Sequence, residues 1–477
     1  MKLILTTSPR AEGDLERKGL PFLGIGYIAA YVKNSHRHEV EIFDTHTYGL
    51  NAAQAAEKIL EKNPDVIGVH AITDNRFKAI ALAKEIKKRN KNVIVLMGGP
   101  HFSLTAKNAL ELVPEIDFII KGEGEKPVLQ FLDTLESKGD LNNVLGLVFR
   151  NQKGEIIENP SKDFWIFDLD KELPFPGPAW DLFDLKLYNK PIDGTDIRSI
   201  GVLSGRGCPN ICVYCANARS VLRLRSPKNF VDEVEFLNKE YGYKGFDFWD
   251  DTLTMVNSHV RGVCEELLRR NLDIVWYARA RVNTVNKELL GLMRKAGCIR
   301  ISYGVESGSP RILEIIKKNI TIDQVKNAVQ WSSEVGMVIL TNFMVNLPDE
   351  TLGDLKQTIG LMKWINGVKN SCAAYGFTVI YPGTELELMA KQRGIMPKDF
   401  SWNSPYESPK YKVASTDPSL FYMEWPGAEL EKIKAVMTRE MGIRGNAFKK
   451  GFNKLIKIKS FGELKELIRA GVNYFKK

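Results

Sequence analysis

Short apolar runs alternate with amphipathic stretches twice along this chain, and that alternation limits what it can fold into. In the first pass, strand-like runs at 2–6, 39–43, 66–71, 93–97 and 117–120 are separated by helical patterns at 24–33, 52–61, 76–89 and 125–136. In the second, runs starting near Ser199, Gly245, Ile274, Ile299, Val338 and Cys372 open six strand–helix repeats. Ser309-Pro310, with proline at a first helical position, and the capping pair Thr321 and Gln324 mark two helix starts. Strands joined by helices pair in parallel, because a hairpin cannot connect them. The chain is therefore expected to be α/β, with an open parallel sheet first and a partial (β/α)6 barrel second. In both architectures ligands gather at the carboxyl ends of the strands.

The strongest chemical signal follows the first strand of the second pass. Cys208, Cys212 and Cys215 stand in a C-x3-C-x2-C spacing, three of the six cysteines within eight residues. Three thiolates on one loop suit an iron–sulfur cluster and leave one iron open to an outside ligand. A structural zinc site wants four protein ligands, and no fourth cysteine or histidine lies nearby in sequence. The remaining strand ends carry polar groups in order: Trp249-Asp250-Asp251, Arg279-Ala280-Arg281, Gly304-Val305-Glu306-Ser307, Asn346-Leu347-Pro348 and Tyr381-Pro382-Gly383-Thr384. In the first pass, the strand-end loops at 7–23, 71–76 and 98–104 are the candidate ligand edge. Paired glycines there let backbone approach a bulky ligand.

The cysteine spacing, with Tyr214 before the last cysteine, resembles the cluster loop of the radical S-adenosylmethionine (radical SAM) enzymes. The first domain is similar to the cobalamin-binding domain of one large branch of them, the class B methyltransferase-like branch. Leu23 and Gly24 at the first helix, Gly98-Gly99-Pro100-His101, and Gly122-Glu123 carry that likeness. The resemblance implies a Rossmann-like cobalamin-binding domain at 1–137, a hairpin and proline-rich connector at 138–196, a TIM-type radical SAM barrel at 197–398, and a helical basic region at 399–477. It implies a 4Fe-4S cluster on Cys208, Cys212 and Cys215, with SAM (S-adenosyl-L-methionine) on the open iron. SAM contacts would come from Tyr214, Asp250, Asp251, Arg279, Glu306, Ser307 and Pro348, with Asp250 and Glu306 the preferred pair. Cobalamin contacts would come from Leu23, Gly24, Thr73, Gly98, Gly99, Pro100, His101, Gly122 and Glu123. Asp44-Thr45-His46-Thr47-Tyr48-Gly49 has the form D-x-H-x-x-G, in which a histidine ligates cobalt, but it follows the second strand and not the first. It is read as coincidence.

The expected activity is reductive cleavage of SAM to a 5′-deoxyadenosyl radical, with methylation of an unactivated carbon. A non-methylating radical cyclisation, rearrangement or oxidation is the alternative, and a cobalamin-binding regulator ranks below it. A methylthio-transferring enzyme acting on RNA needs a further cluster with its own cysteines, and residues 1–207 contain none. No apolar run reaches the length of a bilayer span and no signal peptide is apparent, so a cytoplasmic enzyme is expected. Partners implied are a small-molecule or lipid substrate and an electron donor such as flavodoxin or ferredoxin, with no nucleic acid. Net charge is +9, and lysines are dense from Lys432 onward. With Phe461, Leu464, Leu467, Ile468, Val472 and Phe475 at helical spacing, the tail reads as an amphipathic helix closing the barrel with a solvated basic face, and peripheral contact with anionic membrane is the alternative.

Overall fold

The computed structural model describes residues 1–9, 19–161, 166–192, 195–405 and 425–441. It falls into two compact units, residues 1–189 with 380–421 and residues 190–379 with 422–477.

The first unit is built on a seven-stranded sheet in the order β2-β1-β3-β4-β5-β6-β7. Strands β1 (Lys2–Thr7), β2 (Glu39–Ile42), β3 (Val66–His70), β4 (Ile94–Gly98) and β5 (Phe118–Ile120) are parallel. Helices α1 (Leu23–Asn34), α2 (Ala52–Leu60), α3 (Arg76–Arg89), α4 (Pro100–Leu112) and α5 (Glu125–Glu136) alternate with them. The apolar sides of α2, α3 and α4 close over Ile4, Ile67, Val69, Val95 and Met97, a continuous core. Strand order reverses between β1 and β3, which is where such sheets open a crevice at their carboxyl edge. The hairpin expected in the connector forms as β6 (Leu147–Arg150) and β7 (Ile156–Glu158). It extends the sheet antiparallel from β5, covering an edge that would otherwise leave its backbone unpaired. A single short turn of helix, α6 (Leu169–Glu172), follows.

The second unit is a six-stranded, all-parallel sheet whose strands pair in chain order, as an incomplete barrel requires. Its strands are β8 (Ser199–Val202), β11 (Gly245–Phe248), β12 (Val275–Ala280), β13 (Cys298–Glu306), β14 (Val338–Val345) and β15 (Ser371–Phe377). Between β8 and β11 a two-residue ladder, β9 (Gly205–Arg206) with β10 (Arg223–Leu224), closes off an excursion of the chain. The outer helices are α7 (Pro227–Tyr241), α8 (Asn257–Arg270), α9 (Lys287–Lys295), α10 (Pro310–Ile315), α11 (Ile322–Glu334) and α12 (Leu352–Gly367). The expected caps form. Ser309 caps α10 ahead of Pro310, and Thr321 with Gln324 completes a capping box on α11.

Helix α13 (Glu385–Gln392) groups with the first unit, whereas the barrel was expected to run to residue 398. The chain around it supplies partners that buried groups of that unit need. The Trp402 carbonyl accepts from Arg76, and the Asn403 side chain meets His101. Helix α14 (Leu430–Met441) lies in the second unit, and the amphipathic pattern at 461–475 is outside the described residues. Among the described residues no helix is long and apolar enough to cross a membrane.

Candidate active site

The excursion between β9 and β10 folds back on itself through its own backbone. Arg219 N donates to Asn210 O at 2.8 Å, and Ser220 N donates to Cys208 O at 3.1 Å. The Ser220 hydroxyl also accepts from Cys208 N at 2.8 Å. Gly207 enters the loop at φ +90°, and a Cβ there would sit 2.1 Å from the Val221 carbonyl oxygen. Only glycine can make that entry. The result gathers Cys208, Cys212 and Cys215, all free thiols, on one cavity of about 290 Å³.

Each thiol carries a hydrogen-bond donor. Asn210 Nδ2 lies 3.1 Å from Cys208 Sγ and Arg281 Nη1 lies 3.6 Å from Cys212 Sγ. Cys215 receives the Asn217 backbone N–H, although burial pushes its thiol up. Donors placed on sulfur favour thiolate over thiol and are what a cluster's ligands require. This donor set fits a 4Fe-4S cluster.

Strand ends supply the rest of the cavity wall. Tyr214, Asp251, Arg279 and Glu306 line it with the thiols, as expected from sequence. Burial and the Glu306 charge raise the Tyr214 phenol well above its ordinary range. Burial likewise raises Asp251, whose Oδ1 accepts from Asn217 at 3.1 Å. Glu306 sits at φ +71° just past an irregularity in the β13–β14 register, so its side chain is re-aimed at the cost of backbone strain. Its Oε1 accepts from Lys318 Nζ at 2.8 Å, and the same ammonium donates to the Tyr214 hydroxyl at 3.0 Å. Arg279 pairs with Asp247 at 3.0 Å and donates to the Tyr277 hydroxyl at 2.6 Å.

Three expected residues do not line the cavity. Asp250 turns inward, where its carboxylate accepts from the Ser204 hydroxyl at 2.6 Å and is pushed up to about 6 by burial. That hydroxyl also meets His259 Nε2 at 2.9 Å. Ser307 is fully buried against Thr358, and Pro348 is buried in the turn after β14. Of adjacent carboxylates at a strand end, one must face the core, and here it is Asp250. Sequence reasoning missed Lys318 and Arg281. Arg281 was legible, since residues two apart on a strand share a face and Arg279 was already chosen. Lys318 follows the short helix α10, and nothing in its spacing marks the fold-back.

In the first unit the expected cobalamin contacts gather at the carboxyl edge of the parallel strands. Leu23 and Gly24 open α1, Thr73 follows β3, and Gly122 with Glu123 follows β5. The stretch expected as a loop at 98–104 turns helical at Pro100, which occupies the first position of α4, where its missing N–H costs nothing. Gly99, at φ +88°, would bring a Cβ to 2.5 Å from the Ala71 oxygen, while a Cβ on Gly98 or Gly24 would meet nothing. Gly122 N donates to Ser103 Oγ at 3.0 Å. His101 is fully buried, with Nδ1 on Thr73 Oγ1 at 3.2 Å and Nε2 on Asn403 Oδ1 at 3.1 Å. Both ring nitrogens are thus engaged, and its role here is to hold the edge together. Asp44 of the D-x-H-x-x-G stretch accepts from Thr7, Thr47 and Tyr188, a structural tie among strand ends and connector. At the reversal point itself, Ser8 Oγ beyond β1 and His70 Nδ1 at the end of β3 are buried without a hydrogen-bond partner among the described residues. Unsatisfied buried polar atoms beside open glycines fit a large ligand that covers the edge.

Comparison with known proteins agrees with both halves. Residues 202–362 match the Radical SAM superfamily and residues 19–132 match the B12 binding domain. An uncharacterized methyltransferase of Pyrococcus horikoshii is 32% identical over 391 residues, covering 81% of this chain and 82% of that protein. An anaerobic magnesium-protoporphyrin IX monomethyl ester cyclase of Rubrivivax gelatinosus is 31% identical over 342 residues, 70% of this chain and 60% of that protein's length. The fold is shared with the radical S-adenosylmethionine methyltransferase TsrM from Kitasatospora setae, at a TM-score of 0.73 and 15% identity over 99% of both chains. The chain is therefore an enzyme whose cofactors are a 4Fe-4S cluster, SAM and cobalamin, and it belongs to the cobalamin-binding branch of the radical SAM family.

Proposed function

We propose that the protein methylates an unactivated carbon of a small-molecule or lipid substrate, in a cobalamin-dependent radical SAM reaction. The observation that carries this is the set of three donor-supported thiols on one cavity, in a chain whose relative across four-fifths of its length is named a methyltransferase. When bound, the cluster would supply the electron for reductive cleavage of SAM, and cobalamin would supply carriage of the methyl group.

The chain's own residues bind and orient. Cys208, Cys212 and Cys215 hold the cluster. Asp251 is the carboxylate left for the ammonium of SAM's methionine part, because Asp250 faces inward and Glu306 is already paired. Lys318 neutralises Glu306 and fixes the Tyr214 ring against the cavity. In the first unit, Gly24, Gly98 and the Ser8 and His70 polar atoms would receive cobalamin, and His101 braces Thr73. A reduced flavodoxin or ferredoxin supplies electrons, and the enzyme works in the cytoplasm. The basic tail's contact with anionic membrane belongs to this reading only if the substrate is a lipid.

The test is anaerobic reconstitution with iron, sulfide and hydroxocobalamin, then incubation with SAM and a reductant. The expected result is bound iron and cobalt, with 5′-deoxyadenosine and S-adenosylhomocysteine both formed. The cyclase relative favours a second reading, a radical reaction without methyl transfer. Deoxyadenosine without S-adenosylhomocysteine would select it. Neither product from a cluster-loaded enzyme would overturn both.

A further inference from the structure

We propose that Arg281 sets the reduction potential of the cluster by presenting an uncompensated positive charge to the thiolate of Cys212. The inference rests on the reading that Cys208, Cys212 and Cys215 hold the cluster. Three cations line the cavity, and two of them are spent. Arg279 is paired with Asp247 at 3.0 Å and Lys318 with Glu306 at 2.8 Å. Among the described residues Arg281 has no carboxylate partner, yet it is only 5% exposed. A buried cation without an anion is costly, so the chain retains it for an anion that arrives with the cofactor.

The guanidinium is held in one orientation. Nη2 donates to the Lys318 carbonyl and Nε to Asn283 Oδ1 at 3.3 Å, which leaves Nη1 directed at Cys212 Sγ, 3.6 Å away. The other two thiols receive only neutral donors, the Asn210 amide and the Asn217 backbone. Charge-assisted hydrogen bonds are roughly twice as strong as neutral ones. The step being tuned is the gain of one electron by [4Fe-4S]2+ to give [4Fe-4S]+, from a reduced flavin or iron–sulfur donor, with no bond made or broken. Added negative charge on the cluster is stabilised by a fixed cation beside its ligand. Arg281 therefore raises the potential, and Asn210 does so less.

The measurement is the midpoint potential of the reconstituted holoenzyme, read as the electron paramagnetic resonance signal of the reduced cluster at a series of poised potentials. Arg281→Met is expected to cut the ratio of reduced to oxidised cluster at least tenfold at the wild-type midpoint, a shift of about 59 mV or more to the negative for a one-electron couple. Arg281→Lys should recover part of the shift, and Asn210→Ala should shift the midpoint in the same direction by less. An unchanged midpoint in Arg281→Met, with iron content and signal intensity equal to wild type, would overturn the inference. A merely structural role lowers iron content or melting temperature and leaves the midpoint in place. Should the methionine variant not fold, Arg281→Gln, which is polar but shorter and carries no charge, must show the negative shift. Failure of the wild type to take up iron would instead sink the cluster assignment.

Discussion

The two units present the same kind of edge, the carboxyl ends of parallel strands, and furnish it in opposite ways. In the barrel the edge is charged and, Arg281 apart, internally paired, with Arg279 on Asp247, Lys318 on Glu306 and a donor on every thiol. In the first unit it is left open, with bare glycines at 24 and 98 and, among the described residues, unpartnered atoms on Ser8 and His70. A cavity that must handle a sulfonium, a carboxylate and an anionic cluster needs fixed charges that do not reorganise. An edge that receives a broad macrocycle fringed with neutral amides needs clearance, with a few polar atoms waiting. One fold principle thus serves two ligand chemistries, according to whether its polar atoms are satisfied beforehand.

The comparison breaks most sharply if the two edges are disabled separately. Replacing Cys208, Cys212 or Cys215 by alanine is expected to abolish cluster iron and deoxyadenosine formation while cobalt binding stays at the wild-type level, by metal analysis of the reconstituted protein. Loss of cobalt in the same variants would show that the edges do not load independently. Next in size, Lys318→Met leaves Glu306 buried without its cation, a change that costs about 3–5 kcal/mol when one partner of a buried pair is removed. A lowered melting temperature of the barrel, largely restored by adding Glu306→Gln, checks it. The first unit should respond differently. Gly98→Leu fills clearance that no atom occupies, so stability should hold within about 0.5 kcal/mol while cobalamin retention on gel filtration falls at least tenfold. Gly99→Ala, by contrast, meets the Ala71 carbonyl from a left-handed backbone and should cost about 1–3 kcal/mol.

The smallest effect is a difference in sign. Burial pushes His70 down to about 4 and His101 down to about 3, from 6.5. Their contribution to stability is complete above pH 6.5 and is lost as pH falls toward those values. In the barrel, burial pushes Asp250 up to about 6 and Glu350 up to about 7. These groups stabilise most below the unfolded carboxylate range and lose that contribution as pH rises to those values. Acidification from pH 7 to 5 should therefore weaken hydrogen-exchange protection in the first unit and strengthen it in the barrel. Parallel changes in both would refute the assignment of these buried groups.

Much of this was legible in the sequence because it was written in periodicity and spacing. Both parallel sheets, the cysteine loop and the line of polar strand ends follow from patterns a few residues long. What escaped depends on contacts across long stretches of chain. His101 stands in a glycine-rich stretch, but its partner Asn403 lies about three hundred residues away, so its bracing role has no local signature. Lys318 meets Tyr214 across 104 residues. Asp250 and Asp251 are chemically identical neighbours, and only strand twist and packing decide which one faces the cavity. The D-x-H-x-x-G stretch shows the converse, a chemical pattern whose aspartate is occupied by ordinary structural bonds.

The ladder between Gly205–Arg206 and Arg223–Leu224 has a bearing on how such an enzyme survives air. The backbone bonds that shape the enclosed loop run largely between its own residues, from Asn210 to Arg219 and from Cys208 to Ser220, with Val213 N on the Ile316 carbonyl tying it to the barrel, and none passes through a sulfur atom. Oxidative loss of iron would therefore leave these bonds in place, and refilling by iron and sulfide would start from a loop that is still shaped.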